Sequence, residues 1–233
     1  MSELAIIIPT RTRPTNAERV LTACENTCTT YPTIILAIDA DDPDLPAYTH
    51  LAAGRAAVQI IDPPTGHVGA INTTALLAMD HSDPYAIVKL DDDHQPRTHG
   101  WDHAYLTALH QMGTGVVYGD DQLQGANLPT APGITTDIIR ALGFVAPPEL
   151  GHLYCDNFWR DLATQAGCLR YLPDIVVEHL HPGAGKATWD TTYARVNSPE
   201  RYDTDARAYR TYTTTRMATD VDTVRTLMAA HHR

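Results

Sequence analysis

"AIVKLDDDHQP", residues 86–96, joins a run of core-type residues directly to three carboxylates. Tyr85 to Val88 and Leu90 read as a strand, and Asp91, Asp92 and Asp93 follow without a spacer. An apolar run with no polar alternation suits a strand covered on both faces, the condition of a parallel sheet flanked by helices. If strand geometry continues through the triplet, Asp91 and Asp93 project from one side, together with Lys89, while Asp92 points away. Two carboxylates converging at a strand end raise each other's pKa unless a cation neutralises them. The plain alternative is a solvated polar turn, and the neighbouring segments decide against it.

Upstream, "LAIIIP" reads as a strand stopped by Pro9, followed by the turn "TRTRP" and a helix. Thr15 and Glu18 have capping-box spacing, and Ala17, Leu21, Cys24 and Cys28 form an apolar stripe at helical period. A second strand, "TIILAI", breaks into the loop "DADDPDLP", and a third, "AVQIID", ends at Pro63 and Pro64. The helix "GHVGAINTTALLAMDHSD" carries Ile71, Ala75, Leu76 and Met79 on one side and leads into the acidic strand. Downstream come a strand "GVVYGDD", a loop from Gln122 to Gly133, helices "TTDIIRALGF" and "CDNFWRDLATQAG", a strand "DIVVEHLHP", and a helical C-terminus from Ser198. Strands alternating with helices predict a single α/β domain with a mostly parallel central sheet. Right-handed crossovers bring the loops after the first, second and "AIVKL" strands to one edge, where such sheets bind ligands. The boundaries expected are a main domain over 1–190 and a helical extension packed on it over 191–233.

The chain has 233 residues, 43% hydrophobic and 19% charged, enough for one packed core. Its net charge of −11 disfavours a phosphate backbone as partner, yet permits a nucleotide ligand bridged by a divalent cation. Cys24, Cys28, Cys155 and Cys168 show no zinc-like spacing. The absence of a signal-like start or a long apolar run predicts no membrane insertion and a cytoplasmic location. The stretch "GAGKAT" lacks the first glycine and the Ser or Thr of a phosphate-binding P-loop.

In its ordered motifs the chain resembles a GT-A fold (Rossmann-like) glycosyltransferase of the large family 2, over about residues 4–186. The resemblance rests on "IIIPTRTRP" after the first strand, Asp39 closing the second, Gly69 with Asn72 in the helix before the acidic strand, and Asp91-x-Asp93 itself. It continues in Asp156, although Cys155 stands where the family has Glu, and in the pair His179 and His181. The resemblance implies transfer of a sugar from a UDP- or GDP-type donor to an acceptor hydroxyl, with inversion. Asp156 is then the catalytic base, and Mn²⁺ or Mg²⁺ is held by Asp91, Asp93 and either His179 or His181. Donor binding falls to Pro9, Thr10, Arg11, Arg13, Asp39, Gly69, Asn72, Lys89, Asp91, Asp92 and Lys186. Phe158 and Trp159 are core aromatics by size, or else sugar platforms.

The acceptor side is expected in the Gln122–Gly133 loop and on Tyr202, Tyr209 and Tyr212, with a protein or glycan favoured over nucleic acid. Compactness and the arginine-rich basic set, with Lys89 and Lys186 the two lysines, resemble stand-alone transferases of actinobacteria and their phages. Two other readings stay open: a nucleotidyltransferase of similar fold, although "PTRTRPT" has no glycine-rich loop, and a non-catalytic nucleotide-sugar-binding module, which the altered Cys155-Asp156 pair allows.

Overall fold

The apolar run "LAIIIP" forms β1 (Leu4–Pro9), all six residues of which are buried. In the computed structural model, which describes residues 2–231, β1 is followed by α1 (Pro14–Thr27), β2 (Thr33–Asp39), α2 (Leu45–Ala52), β3 (Ala57–Ile61), α3 (Gly66–Ser82) and β4 (Ala86–Lys89). The second half runs β5 (His94–Pro96), α4 (Trp101–Met112), β6 (Val116–Asp120), β7 (Gly133–Thr135), α5 (Thr136–Leu142), α6 (Cys155–Ala166) and β8 (Leu169–His179). Helices α7 (Thr191–Val196), α8 (Pro199–Thr215) and α9 (Met217–His231) close the chain.

The sheet order is β3-β2-β1-β4-β7-β6-β8-β5. Strands β3, β2, β1 and β4 are parallel, so their carboxyl ends meet at one edge. Beyond β4 the sheet is mixed, because β7 runs antiparallel to both β4 and β6, and β5 runs antiparallel to β8. Gly133 opens β7, where an added Cβ would lie 3.0 Å from the Tyr105 side chain and 3.1 Å from Val117. A side chain there would push strand and helix apart.

Alternation along the strands divides the core into two layers. Ala5, Ile7, Ile35 and Ala37 face α3, α5, α6 and the C-terminal helices, while Leu4, Ile6, Ile8, Leu36 and Ile38 face α1, α2 and α4. Tyr209, Tyr212, Val221 and Val224 join the first layer, which ties α8 and α9 to α5 and α6. Tyr209 donates to Asp161 at 2.6 Å and Tyr212 to Asp220, so both hydroxyls are engaged within the helical layer.

Three local expectations are corrected. The Thr15–Glu18 capping box does not form: Pro14 takes the first helical turn, Arg13 precedes it, and no side chain caps the end. Leu76 is 40% exposed, because α3 buries Ile71, Ala75, Ala78 and Met79 and residue 76 lies about 100° further round the helix. The loop expected over 39–46 forms but ends two residues early, because α2 begins at Leu45; its Tyr48 is buried, with its hydroxyl accepting the Arg13 amide at 2.7 Å.

Asp102, fully buried at the start of α4, accepts the amides of Thr29 and Thr30 at 2.7–3.0 Å and the Thr30 hydroxyl at 2.6 Å. Burial alone would raise its carboxyl, but these bonds outweigh it and hold it below the usual range. The stability it contributes is therefore full above its unfolded value and is lost as pH falls below about 4. Asp102→Ala strands two amides and is expected to lower unfolding free energy by about 3 kcal/mol at neutral pH. Urea unfolding of the variant checks this, and an unchanged midpoint denies Asp102 the role.

Candidate active site

The carboxyl edge of the parallel strands opens into a cavity of about 520 Å³. Pro9, Thr10, Arg11 and Arg13 line it from the turn after β1, Asp39 from β2, and Lys89 with Asp91, Asp92 and Asp93 from β4 and beyond. Asp156 enters from the first turn of α6, and His179 and His181 enter from the end of β8. Three of the expected donor-binding residues do not line it. Gly69 is packed against Thr65, where an added Cβ would come within 2.4 Å. Asn72 is turned inward, its Oδ1 accepting the amides of Val145 and Ala146 at 2.8 and 3.0 Å and its Nδ2 donating to the Ala146 carbonyl at 2.8 Å. Lys186 pairs with Glu178 at 2.9 Å.

Regular strand ends at Lys89, and the aspartates form a turn into β5. The alternation that sent Asp92 away from the cavity therefore stops before it applies, and all three carboxylates face the same space. Each has its own counter-group. Asp91 pairs with Lys89 and lies 3.7 Å from His67 Nε2. Asp92 accepts from the Thr10 hydroxyl at 2.7 Å and from Arg13 at 3.2 Å. Asp93 accepts through Oδ2 from the Tyr193 hydroxyl at 2.7 Å, with His179 Nε2 at 3.4 Å.

Burial would raise all three carboxyls. For Asp91 the charge and hydrogen bond of Lys89 win, and for Asp93 the hydrogen bond and charge of His179 win, so both are held well below the carboxylate range. For Asp92 burial and the charge of Asp93 prevail over Arg13 and Thr10 and push it up to about 7. Asp156 is pushed up to about 6, mainly by burial, with Lys89 opposing.

Both arginines of the first turn are occupied. Arg11 bridges Asp39 at 2.9 Å and Asp41 at 2.5 Å, and Arg13 spans Asp92 and Asp190 while its guanidinium lies 4.0 Å above the Tyr193 ring. Asp39 Oδ1 is buried with no hydrogen-bond partner among the described residues. Phe158 and Trp159 are both 1% exposed and belong to the core. Cys155 is buried at the mouth of α6, with its Sγ directed at the His152 carbonyl at 3.5 Å.

Tyr193, His94, His67 and His152 escaped the sequence reading. Tyr193 lies 100 residues from Asp93 and reaches it through α7. His94 accepts the Asp91 amide at 3.0 Å and stacks on His179 at 4.5 Å, because β5 and β8 pair residue 94 directly with residue 179. That pairing also brings His179, rather than His181, to Asp93; His181 Nδ1 instead accepts the Gly183 amide at 3.0 Å. The adjacency of His94 to the triplet was the one available signal.

Asp91, Asp93 and His94 each present a ligand atom, all within 4.8 Å of one another. Asp93 Oδ1 is buried and, among the described residues, makes no hydrogen bond. Hard carboxylate oxygens with one left unsatisfied fit a divalent cation such as Mn²⁺ or Mg²⁺.

Comparison with solved structures is decisive for the architecture. A mannosyltransferase, PcManGT from Pyrobaculum calidifontis, in complex with GDP-Man and Mn²⁺, superposes with a TM-score of 0.63 at 15% identity, covering 98% of this chain and 74% of that one. The chain has the GT-A fold. S. aureus TarS 1–349 in complex with UDP gives a TM-score of 0.58 at 11% identity, over 98% of this chain and 91% of the other. GalNAc-T7 with UDP, GalNAc and Mn²⁺ gives 0.63 at 12% identity, over 76% of this chain and 44% of that one. No protein-family model and no curated protein matches the sequence. At these identities the likeness is one of GT-A architecture. Among the described residues, no helix is long and apolar enough to cross a membrane.

Proposed function

We propose that this GT-A chain transfers a sugar from a nucleoside diphosphate donor to an acceptor hydroxyl, inverting the anomeric centre. The observation that carries the reading is the incomplete satisfaction of Asp93. Its Oδ2 is held by Tyr193 and His179, while Oδ1, buried beside Asp91 and His94, lacks a partner among the described residues. Binding of Mn²⁺ by PcManGT and GalNAc-T7, and of GDP-Man or UDP by PcManGT and TarS, supports the same assignment here.

Asp91 and Asp93 would hold the cation, with His179 or His94 as the nitrogen ligand. When bound, the cation supplies positive charge for the departing diphosphate. Asp39 and the Pro9–Arg13 turn hold the nucleoside end of the cavity. Asp156 removes the acceptor's proton as its oxygen bonds to the anomeric carbon and the bond to the diphosphate breaks. This role needs the carboxylate within about 3 Å of the attacking oxygen. The products are the glycosylated acceptor and a nucleoside diphosphate. Leu123 and Tyr202 border the same cavity and are the proposed acceptor side, and the net charge of −11 favours a protein or glycan over nucleic acid.

Thermal unfolding tests the reading. GDP or UDP with Mn²⁺, at a hundredfold excess over its dissociation constant, is expected to stabilise the native state by about 2.7 kcal/mol. No shift with any nucleoside diphosphate in the presence of Mn²⁺ overturns the reading. Release of pyrophosphate instead of nucleoside diphosphate on turnover assigns the site to nucleotidyl transfer.

A further inference from the structure

We infer that His67 and His152 recognise the hydroxyl groups of a neutral hexosyl donor inside this cavity; the inference rests on the nucleotide-sugar reading above. His67 is the second residue of α3, and His152 lies in the loop just before α6, so elements 85 residues apart in the chain supply one pair. Their ring centroids are 4.4 Å apart and tilted by 55°. Both rings line the cavity beside Lys89, Asp91, Cys155 and Asp156. His67 Nε2 stands 3.7 Å from Asp91 Oδ1, beyond hydrogen-bond range, and among the described residues neither ring makes a hydrogen bond.

The backbone beneath His152 is held far more firmly than its ring. Asp205 of α8, 1% exposed, accepts the consecutive amides of Gly151, His152 and Leu153 at 3.1, 2.9 and 2.8 Å. The loop thus spends a buried carboxylate on placing an imidazole whose own polar atoms remain unused. A fixed backbone carrying an unsatisfied side chain into a cavity is how a site pre-organises recognition. Each neutral imidazole offers one donor and one acceptor, the complement of a sugar hydroxyl.

Position points the same way. The diphosphate belongs at Asp91 and Asp93 and the proton acceptor is Asp156, so the transferred ring must lie between them. That is the space His67 and His152 border with Lys89 and Cys155. Lys89 is already paired with Asp91, and Cys155 is turned to a backbone carbonyl, which leaves the two histidines to meet the ring's hydroxyls.

Calorimetric titration in the presence of Mn²⁺ tests the assignment, with GDP against GDP-mannose and UDP against UDP-N-acetylglucosamine. His67→Phe and His152→Phe keep ring bulk but lose both polar atoms. Each is expected to weaken the sugar nucleotide relative to its free nucleoside diphosphate by roughly tenfold, with the diphosphate affinity unchanged. His152→Gln, which restores a donor and an acceptor, is expected to recover part of that ratio. An unchanged ratio in both phenylalanine variants, or equal weakening of both ligands, overturns the assignment. Failure of the wild-type chain to bind any of the four ligands overturns it together with the reading it rests on.

Discussion

Asp156→Asn is expected to lower the proposed sugar transfer by about a thousandfold while leaving donor affinity and unfolding midpoint near wild type. Asparagine preserves shape but cannot take the acceptor's proton. The wild-type pH profile should carry the signature of the same group. Burial raises the Asp156 carboxyl to about 6, against the opposing charge of Lys89. A base acts only when ionised, so the rate should climb as pH rises through about 6 and level off above it. Residual transfer in Asp156→Asn should lack that rise. Steady-state rates of both proteins between pH 5 and pH 8 check the prediction, and wild-type turnover by the variant removes Asp156 from catalysis.

Asp93→Asn is expected to abolish Mn²⁺-dependent stabilisation by nucleoside diphosphates and to lower the proposed transfer on the order of a thousandfold. The amide oxygen can still accept from Tyr193, which at present bonds Asp93 Oδ2 at 2.7 Å, so the fold has little reason to fail. What is lost is a negative charge that burial disfavours and that His179 sustains. Thermal unfolding with nucleotide, with and without Mn²⁺, separates the effect from loss of folding. A variant that keeps the full Mn²⁺-dependent shift shows that Asp93 is not a ligand.

Much of the fold could be read from local pattern. The runs "LAIIIP", "TIILAI" and "AIVK" are buried strands because residues apolar on both faces can lie only between two layers of helix. Their polar ends meet because parallel strands share a carboxyl edge, which is why Thr10, Asp39 and Asp92 came together as a set. Where local pattern misled, a geometric period was extended past its end. The side assigned to Asp92 assumed strand dihedrals that stop at Lys89, and the Thr15–Glu18 box assumed a helix start that Pro14 moves forward. The antiparallel insertion of β7 carried no periodic signal, since three residues are too few to display one.

The sequence by itself determined an α/β chain of alternating strands and helices with acidic and basic turns at one edge, because those features follow from residue type and spacing over a few neighbours. Only the tertiary structure decided how the site is completed. It brings Tyr193 to Asp93, His179 rather than His181 to the same carboxylate, and His67 against His152, and it turns Asn72 inward to hold the Val145–Ala146 backbone. Those pairings join segments far apart along the chain. They depend on helix docking and strand register, which no local period encodes.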